Sequence, residues 1–291
     1  MKTKDDIVGN WLPRYTDTPL DGFGNYVLLT NFISYTEEFA RIENAEIRGR
    51  LKPMQTATSS DGITIVNFGM GSPNAATICD LLSAVHPKAV LFLGKCGGLK
   101  RKLQVGDFIL PIAAIRAEGT SESYYPREIP ALPSFRLQKA VSHTIVANEQ
   151  DYYTGTVYTT NRRVWEHDDE FKDYLHRTRC IGIDMETATL FIAAFANQIP
   201  HGALLLVSDM PLTEEGIKTD ISDIAVTQRY AGLHLKIGIE SLRELKSSGI
   251  SVKHLIFEDS ATLKRSAAAP KFHAVRRPGR QGIDSRSTRH V

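Results

Sequence analysis

Ala89-Val90-Leu91-Phe92-Leu93-Gly94-Lys95-Cys96-Gly97-Gly98 opens as five consecutive apolar residues and ends in a glycine-rich segment that carries one cation. A short apolar run without alternation predicts a strand buried on both faces, as in a parallel sheet covered by helices. The glycines that follow predict a turn at its carboxyl end. Similar β-rich runs recur at Tyr26–Thr30, Ile63–Phe68, Phe108–Ile115 and Gly202–Ser208, each bounded by Gly, Asp or Pro. Helical patterns lie between them. Ile78, Leu81, Leu82 and Val85 follow i, i+3, i+4, i+7 spacing after Ser72-Pro73, a helix entry with Ser72 as N-cap and proline at the first position. Further helices are expected from about Glu186 to Asn197 and from about Ile221 to Ser247. Alternating strands and helices make this an α/β fold with a largely parallel central sheet.

Outward from this frame the chain changes character twice. Arg116 to Asn148 is rich in Pro, Ser and Tyr and reads as a long excursion over one end of the sheet. From Asp259 onward Ser, Ala, Arg, Gly and Pro accumulate without hydrophobic periodicity, as in a disordered extension. The last strand-like residues before it are Val252–Phe257. The expected organisation is therefore one catalytic domain over residues 1–258 and a basic extension over 259–291. At 291 residues with 42% hydrophobic content, the chain can bury a substantial core.

Charge and cysteine usage narrow the function classes. The net charge is +2, but the extension holds eight basic residues against two acidic ones, so the remainder is near −4. A domain-wide basic surface for nucleic acid is not supported. No apolar stretch is long enough to span a bilayer and no signal segment is visible, so a soluble, cytoplasmic protein with no membrane partner is expected. Cys79, Cys96 and Cys180 lack metal or disulfide spacing and read as reduced, mostly buried thiols. The nine histidines are scattered, and no metal site is expected.

Four motifs could carry chemistry. Gly69-Met70-Gly71-Ser72-Pro73 sits between a strand and a helix, but Asn74 replaces the third glycine of a dinucleotide fingerprint. Gly94-Lys95 resembles part of a P-loop, yet Ala89 stands at the upstream glycine position and no Ser or Thr follows the lysine. What remains is a glycine segment able to face an anion, or a turn with a solvated lysine. Cys96 fits packing better than nucleophilic attack. Gly182-Ile183-Asp184-Met185-Glu186 places two carboxylates at a strand-to-helix junction, where capping alone explains either one. Ser208-Asp209 ends another strand, and Asp209 is equally readable as a turn residue or as a catalytic acid.

Taken in order, Gly69-Met70-Gly71, Leu93 to Gly98, Gly182 to Thr187 and Val207-Ser208-Asp209 resemble the motif series of the purine nucleoside phosphorylase and nucleosidase superfamily. Tyr158-Thr159-Thr160-Asn161-Arg162-Arg163-Val164-Trp165-Glu166, Ser208 to Leu212 and Ile217-Lys218 look more specifically like the catalytic domain of AMP nucleosidases. The resemblance covers about residues 20 to 257. It lacks the extra N-terminal domain of some bacterial members, so regulation through such a domain is not expected.

The resemblance implies a nucleoside phosphorylase-like fold, a twisted, mostly parallel sheet partly closed into a barrel and surrounded by helices, assembled as a homo-oligomer in which dimers build a hexamer. It implies that Asp209 protonates the purine at N7, that Glu186 accepts the ribose 2′- and 3′-hydroxyls, that Met185 packs under the sugar and that Tyr158 stacks on the base. Gly71 joins the ribose- and base-binding set, and Lys218 supports the leaving base. Lys95, Arg116 and Arg163 are the candidates for a 5′-phosphate. Base preference is expected to depend on loop contacts within Arg116–Tyr125. Two positions depart from the phosphorylases: Phe92 stands where they carry a phosphate-binding arginine, and Lys95 replaces a small hydroxyl residue. The implied reaction is AMP plus water giving adenine and ribose 5-phosphate, with a purine nucleotide as the small-molecule partner and no cofactor. The alternatives are a phosphorolytic purine or uridine nucleoside phosphorylase and a non-catalytic nucleotide-binding protein.

Overall fold

A computed structural model describes residues 2–213 and 216–249. The segment Val252–Phe257 and the basic extension lie outside the described residues. In chain order the elements are α1 (Lys4–Thr16), β1 (Tyr26–Thr30), α2 (Ile33–Glu43), β2 (Ile47–Arg48), β3 (Gln55–Thr58), β4 (Ile63–Asn67), α3 (Ser72–Leu82) and β5 (Ala89–Gly98). They continue with β6 (Phe108–Ala117), α4 (Phe135–Ala147), β7 (Tyr152–Thr160), α5 (Asp169–Thr178), β8 (Gly182–Asp184), α6 (Thr187–Ala196), β9 (His201–Asp209) and α7 (Asp220–Ser247).

The strands form one sheet in the order β2-β3-β4-β1-β5-β8-β7-β6-β9, and β9 returns to pair with β5. The last five strands therefore close into a barrel, with β1 to β4 continuing the sheet from β5. Pairs β1–β4, β1–β5, β5–β9, β6–β7 and β7–β8 are parallel, while β5–β8 and β6–β9 are antiparallel. The mostly parallel sheet and partial barrel implied by the motif series are both present. Two apolar layers flank the sheet. Ile78, Leu82, Phe191 and Ile192 pack on one side with Phe92 and Leu205, and Phe39, Leu137, Leu235 and Leu242 pack on the other with Leu91 and Leu204.

β5 differs from its sequence reading in one informative way. The strand does not stop at Leu93 but continues through Gly98, with all ten residues buried. Gly94, Gly97 and Gly98 are not turn glycines, and none has a positive φ. They are there because neighbours press against the backbone. A Cβ on Gly94 would lie 2.5 Å from the Phe92 ring, one on Gly97 2.7 Å from Pro211 Cγ, and one on Gly98 2.6 Å from Met210 Sδ. Absent side chains let the segment after β9 lie directly on the end of β5.

The helices follow their patterns with small shifts. The entry to α3 is capped by Gly71 at φ 94 rather than by Ser72, whose hydroxyl instead donates to the Met185 carbonyl at 2.6 Å. A left-handed Gly71 turns the chain sharply enough to aim its N–H away from the helix. Residues Thr187 to Ala194 of α6 are all buried, as expected of a helix lying between other layers. The Arg116–Asn148 excursion is more ordered than its composition suggests. β6 extends to Ala117, and α4 buries Leu137, Val141 and Ile145 at helical spacing.

Gly97→Ala is expected to force Pro211 and Ile183 away from β5 and to destabilise the protein by about 1–3 kcal/mol, the usual cost of overpacking. Urea denaturation would read the change, and an unaltered midpoint would contradict the close-packing account of this glycine.

Candidate active site

The carboxyl ends of β5, β8 and β9 open into a cavity of about 410 Å³. Ligands of open α/β sheets gather at this end of the strands. Its wall includes Lys95 and Gly97 from β5, Met185 and Glu186 after β8, Asp209 from β9, and Lys218 with Asp223 at the start of α7. Asn31, Phe32 and Met70 close one flank, and Arg162, Arg163 and Glu166 stand at another.

The two carboxylates of the β8–α6 junction divide their tasks. Asp184 caps the helix: its carboxylate accepts the N–H of Thr187 at 2.7 Å and of Glu186 at 3.2 Å, with the hydroxyls of Thr187 at 2.5 Å and Thr159 at 2.7 Å. Such capping satisfies the first helical N–H groups. Glu186 makes no cap bond and turns to the cavity instead. Its Oε1 accepts the Gly71 N–H at 2.8 Å and its Oε2 the Met185 N–H at 3.3 Å. Burial, reinforced by the nearby Asp184 charge, pushes the Glu186 carboxyl up to about 7. Across the same wall, the buried Asn31 Oδ1 has no hydrogen-bond partner among the described residues, so it can accept from a ligand hydroxyl.

Asp209 is positioned by a bulge. Cys96 pairs with Val207, but the next residue, Gly97, pairs with Asp209, so Ser208 is skipped in the ladder. Bulges re-aim side chains at strand ends. The Ser208 hydroxyl lies 2.5 Å from Asp209 Oδ1 and 3.3 Å from the Cys96 carbonyl, and Lys218 Nζ donates to the same hydroxyl at 3.4 Å. Burial raises the Asp209 pKa from its ordinary value, offset in part by Ser208, Lys218 and Arg163. A carboxyl held in this way can keep a proton and donate it.

The lysines converge on one oxygen. Lys95 Nζ and Lys218 Nζ each lie 2.9 Å from Asp223 Oδ1. The Lys95 side chain is 2% exposed, donates to Thr227 Oγ1 at 2.6 Å and sits 4.5 Å above the Phe32 ring. Burial lowers its pKa, and Asp223 works against that shift.

Of the residues expected at the site, Asp209, Glu186, Met185, Lys95, Lys218 and Arg163 line the cavity together. Three are placed elsewhere. Gly71 lies behind Glu186, holding it through the N–H bond. Tyr158 is a correction to the base-stacking assignment: its ring is buried, packed edge-on against Phe171 and Tyr174 at centroid distances of 5.9 and 6.0 Å. The ring does not itself line the cavity but packs in the apolar cluster with Leu175, Trp165 and Ile183, of which the last two do line it. Arg116 is likewise corrected as a phosphate candidate. Its guanidinium donates to Ser121 Oγ and to the carbonyls of Pro126, Ile129 and Tyr125, so from the end of β6 it pins the segment that follows. No residue of Arg116–Tyr125 is among those that line the cavity. Asp223, Glu166, Asn31 and Phe32 were not singled out from the sequence. A Thr219 cap three residues before Ser222 marks the start of α7 and was the available signal for Asp223. Cys96, by contrast, is buried with its thiol pushed well up in pKa, in keeping with packing.

A family model for the phosphorylase superfamily matches residues 28–243, and the chain belongs to that superfamily. Within it, the similarity runs to AMP nucleosidases. The crystal structure of AMP nucleosidase from Bacteroides thetaiotaomicron VPI-5482 is 51% identical, with a TM-score of 0.75 over 85% of this chain and 99% of that one. AMP nucleosidase of Escherichia coli (strain K12) is 30% identical over 283 residues, 82% of this chain, and the chain spans 58% of that protein's length. Purine nucleoside phosphorylase from Toxoplasma gondii, 20% identical with a TM-score of 0.67 over 78% of this chain and 94% of that one, shares the fold.

Because burial raises the folded-state pKa of Glu186 above its unfolded value, its favourable contribution to stability is complete at low pH and is lost as pH rises through about 7. Glu186→Gln should therefore melt above wild type at pH 8, with the difference shrinking at pH 5. Thermal melts at the two pH values test this, and a pH-independent difference would contradict it.

Proposed function

We propose that this chain hydrolyses the N-glycosidic bond of AMP, giving adenine and ribose 5-phosphate. The observation that carries the reading is one cavity holding two carboxyl groups whose pKa burial raises: Asp209 at the end of β9, and Glu186, held by backbone N–H groups. The family relationship and the similarity to AMP nucleosidases support it.

Breaking the C1′–N9 bond leaves the electron pair on the base and positive charge on the ribose, as in glycoside hydrolysis. Asp209 donates its proton to N7 as the base departs, and Lys218, close to the Ser208–Asp209 pair, stabilises the resulting carboxylate. Glu186 accepts the ribose hydroxyls, with Met185 beneath the sugar, and its ionised form places negative potential beside the developing cation. A water oxygen bonds to C1′ and releases its extra proton to solvent. Arg163 and its neighbour Arg162 suit the 5′-phosphate. They are part-exposed, and their pairs with Glu166 at 3.3 Å and Asp168 at 2.5 Å are surface ion pairs of about 0–1 kcal/mol that a phosphate can replace. Lys95 is already committed to Asp223 and Thr227.

The deciding assay compares AMP with adenosine, with and without inorganic phosphate. Phosphate-independent release of adenine and ribose 5-phosphate is expected, with kcat falling by about 10²–10⁴-fold in Asp209→Asn, the range for loss of a general acid. Release from adenosine only in the presence of phosphate, with ribose 1-phosphate formed, would instead establish phosphorolysis.

The same reading makes the chain a cytoplasmic homo-oligomer in which dimers assemble to a hexamer. Exposed apolar side chains beside the cavity, Met70, Val164, Ile221 and Ile224, support burial against another copy. Light scattering is expected to return a multiple of the 32.3 kDa chain, and a monomer at micromolar concentration would refute the assembly.

A further inference from the structure

Lys95 and Lys218 donate to the same oxygen, Asp223 Oδ1, each at 2.9 Å. Two ammonium groups converging on one oxygen form an anion subsite, the arrangement that a phosphate oxygen would otherwise fill. The subsite is built rather than incidental. The Lys95 side chain is 2% exposed, and its ammonium is fixed from two further sides by Thr227 Oγ1 at 2.6 Å and the Phe32 ring at 4.5 Å. Both lysines and Asp223 line the same cavity as Asp209 and Glu186. The anion in it belongs to the protein.

Asp223 stands in the first turn of α7, where the helix dipole and the Thr219 cap stabilise a carboxylate. Its pKa is lowered by the two lysines despite partial burial, so it stays ionised at neutral pH. For inorganic phosphate to reach Lys95 and Lys218 it must evict this carboxylate or sit beside it as a second anion. Water faces no such competition. Relatives in the superfamily are named as phosphorylases, whose reaction needs phosphate where a hydrolase uses water.

We propose that Asp223 is a resident counter-anion that occupies the Lys95–Lys218 anion subsite and excludes inorganic phosphate from the cavity that holds Asp209 and Glu186. The inference rests on the hydrolytic reading given above, but phosphate binding tests it separately from turnover.

The experiment is calorimetric titration of inorganic phosphate into wild type, Asp223→Asn, Asp223→Ser and the double variant Asp223→Asn/Lys95→Met, with thermal melts to establish folding. Asp223→Asn keeps the shape of the side chain and Asp223→Ser leaves more room, so failure of one to fold does not silence the test. At least tenfold tighter phosphate binding is expected in either folded single variant, with the gain abolished in the double variant. Phosphate should also inhibit AMP hydrolysis more strongly in the single variants than in wild type. Folded single variants that bind phosphate no more tightly than wild type would overturn the proposal, as would a gain that survives removal of Lys95. Absence of AMP turnover by wild type would refute the hydrolytic reading while leaving the phosphate titration readable.

Discussion

The structure depends on β5 being shared. Its first half pairs in parallel with β1 on one side and β9 on the other, and its last two residues pair with β8. A strand with neighbours on both edges and buried on both faces has no room for side chains that do not fit. Gly94, Gly97 and Gly98 are the consequence, since Phe92, Pro211 and Met210 occupy the space that their Cβ atoms would need. That close approach closes the barrel and brings the segment after β9 over the end of β5. Asp209, Lys218 and Lys95 share one cavity because of it.

The cavity concentrates buried charge, and each charge is given a reason to remain. Asp184 is surrounded by N–H and hydroxyl donors and anchors α6, which fixes where Glu186 begins its turn. Glu186 keeps the Gly71 and Met185 N–H groups and the Asn31 side chain as partners but no cation, and burial beside the Asp184 charge pushes its carboxyl up to about 7. Lys95 is the opposite case, a buried ammonium retained by Asp223, Thr227 and an aromatic face. Removing either partner of such a pair costs more than the pair itself contributes, because the remaining charge stays desolvated. One pocket thus holds two carboxyl groups whose pKa burial raises and two ammonium groups tied to one aspartate.

Much of this was legible beforehand. Continuous apolar runs marked β1, β4, β5 and β9 to within a few residues, because strands buried on both faces tolerate little else. The motif series pointed to Asp209, Glu186 and Met185, which stand at strand ends and line one cavity. Tyr158 and Arg116 were misplaced for one shared reason. An aromatic beside a binding motif and an arginine near the end of a strand are equally fit for ligand contact and for internal packing. Only the neighbours decide between these uses: Phe171 and Tyr174 enclose the tyrosine ring, and the carbonyls of Tyr125, Pro126 and Ile129 take the guanidinium. α4 was hidden because flanking Pro, Ser and Tyr masked the spacing of Leu137, Val141 and Ile145.

The sequence by itself determined the α/β class and the positions of β1, β4, β5, β6 and β9, since periodicity is a property of neighbouring residues, and its motif series pointed to two carboxylates that the fold brings into one cavity. Tertiary structure alone decided the barrel closure, the extension of β5 through its glycines and the meeting of Lys95 with Asp223. Those two residues are separated by 128 positions, and no spacing rule links them. They pair because β9 returns to β5 and the chain beyond it starts α7 over the strand ends, where a buried ammonium requires an anion and Asp223 is the one within reach.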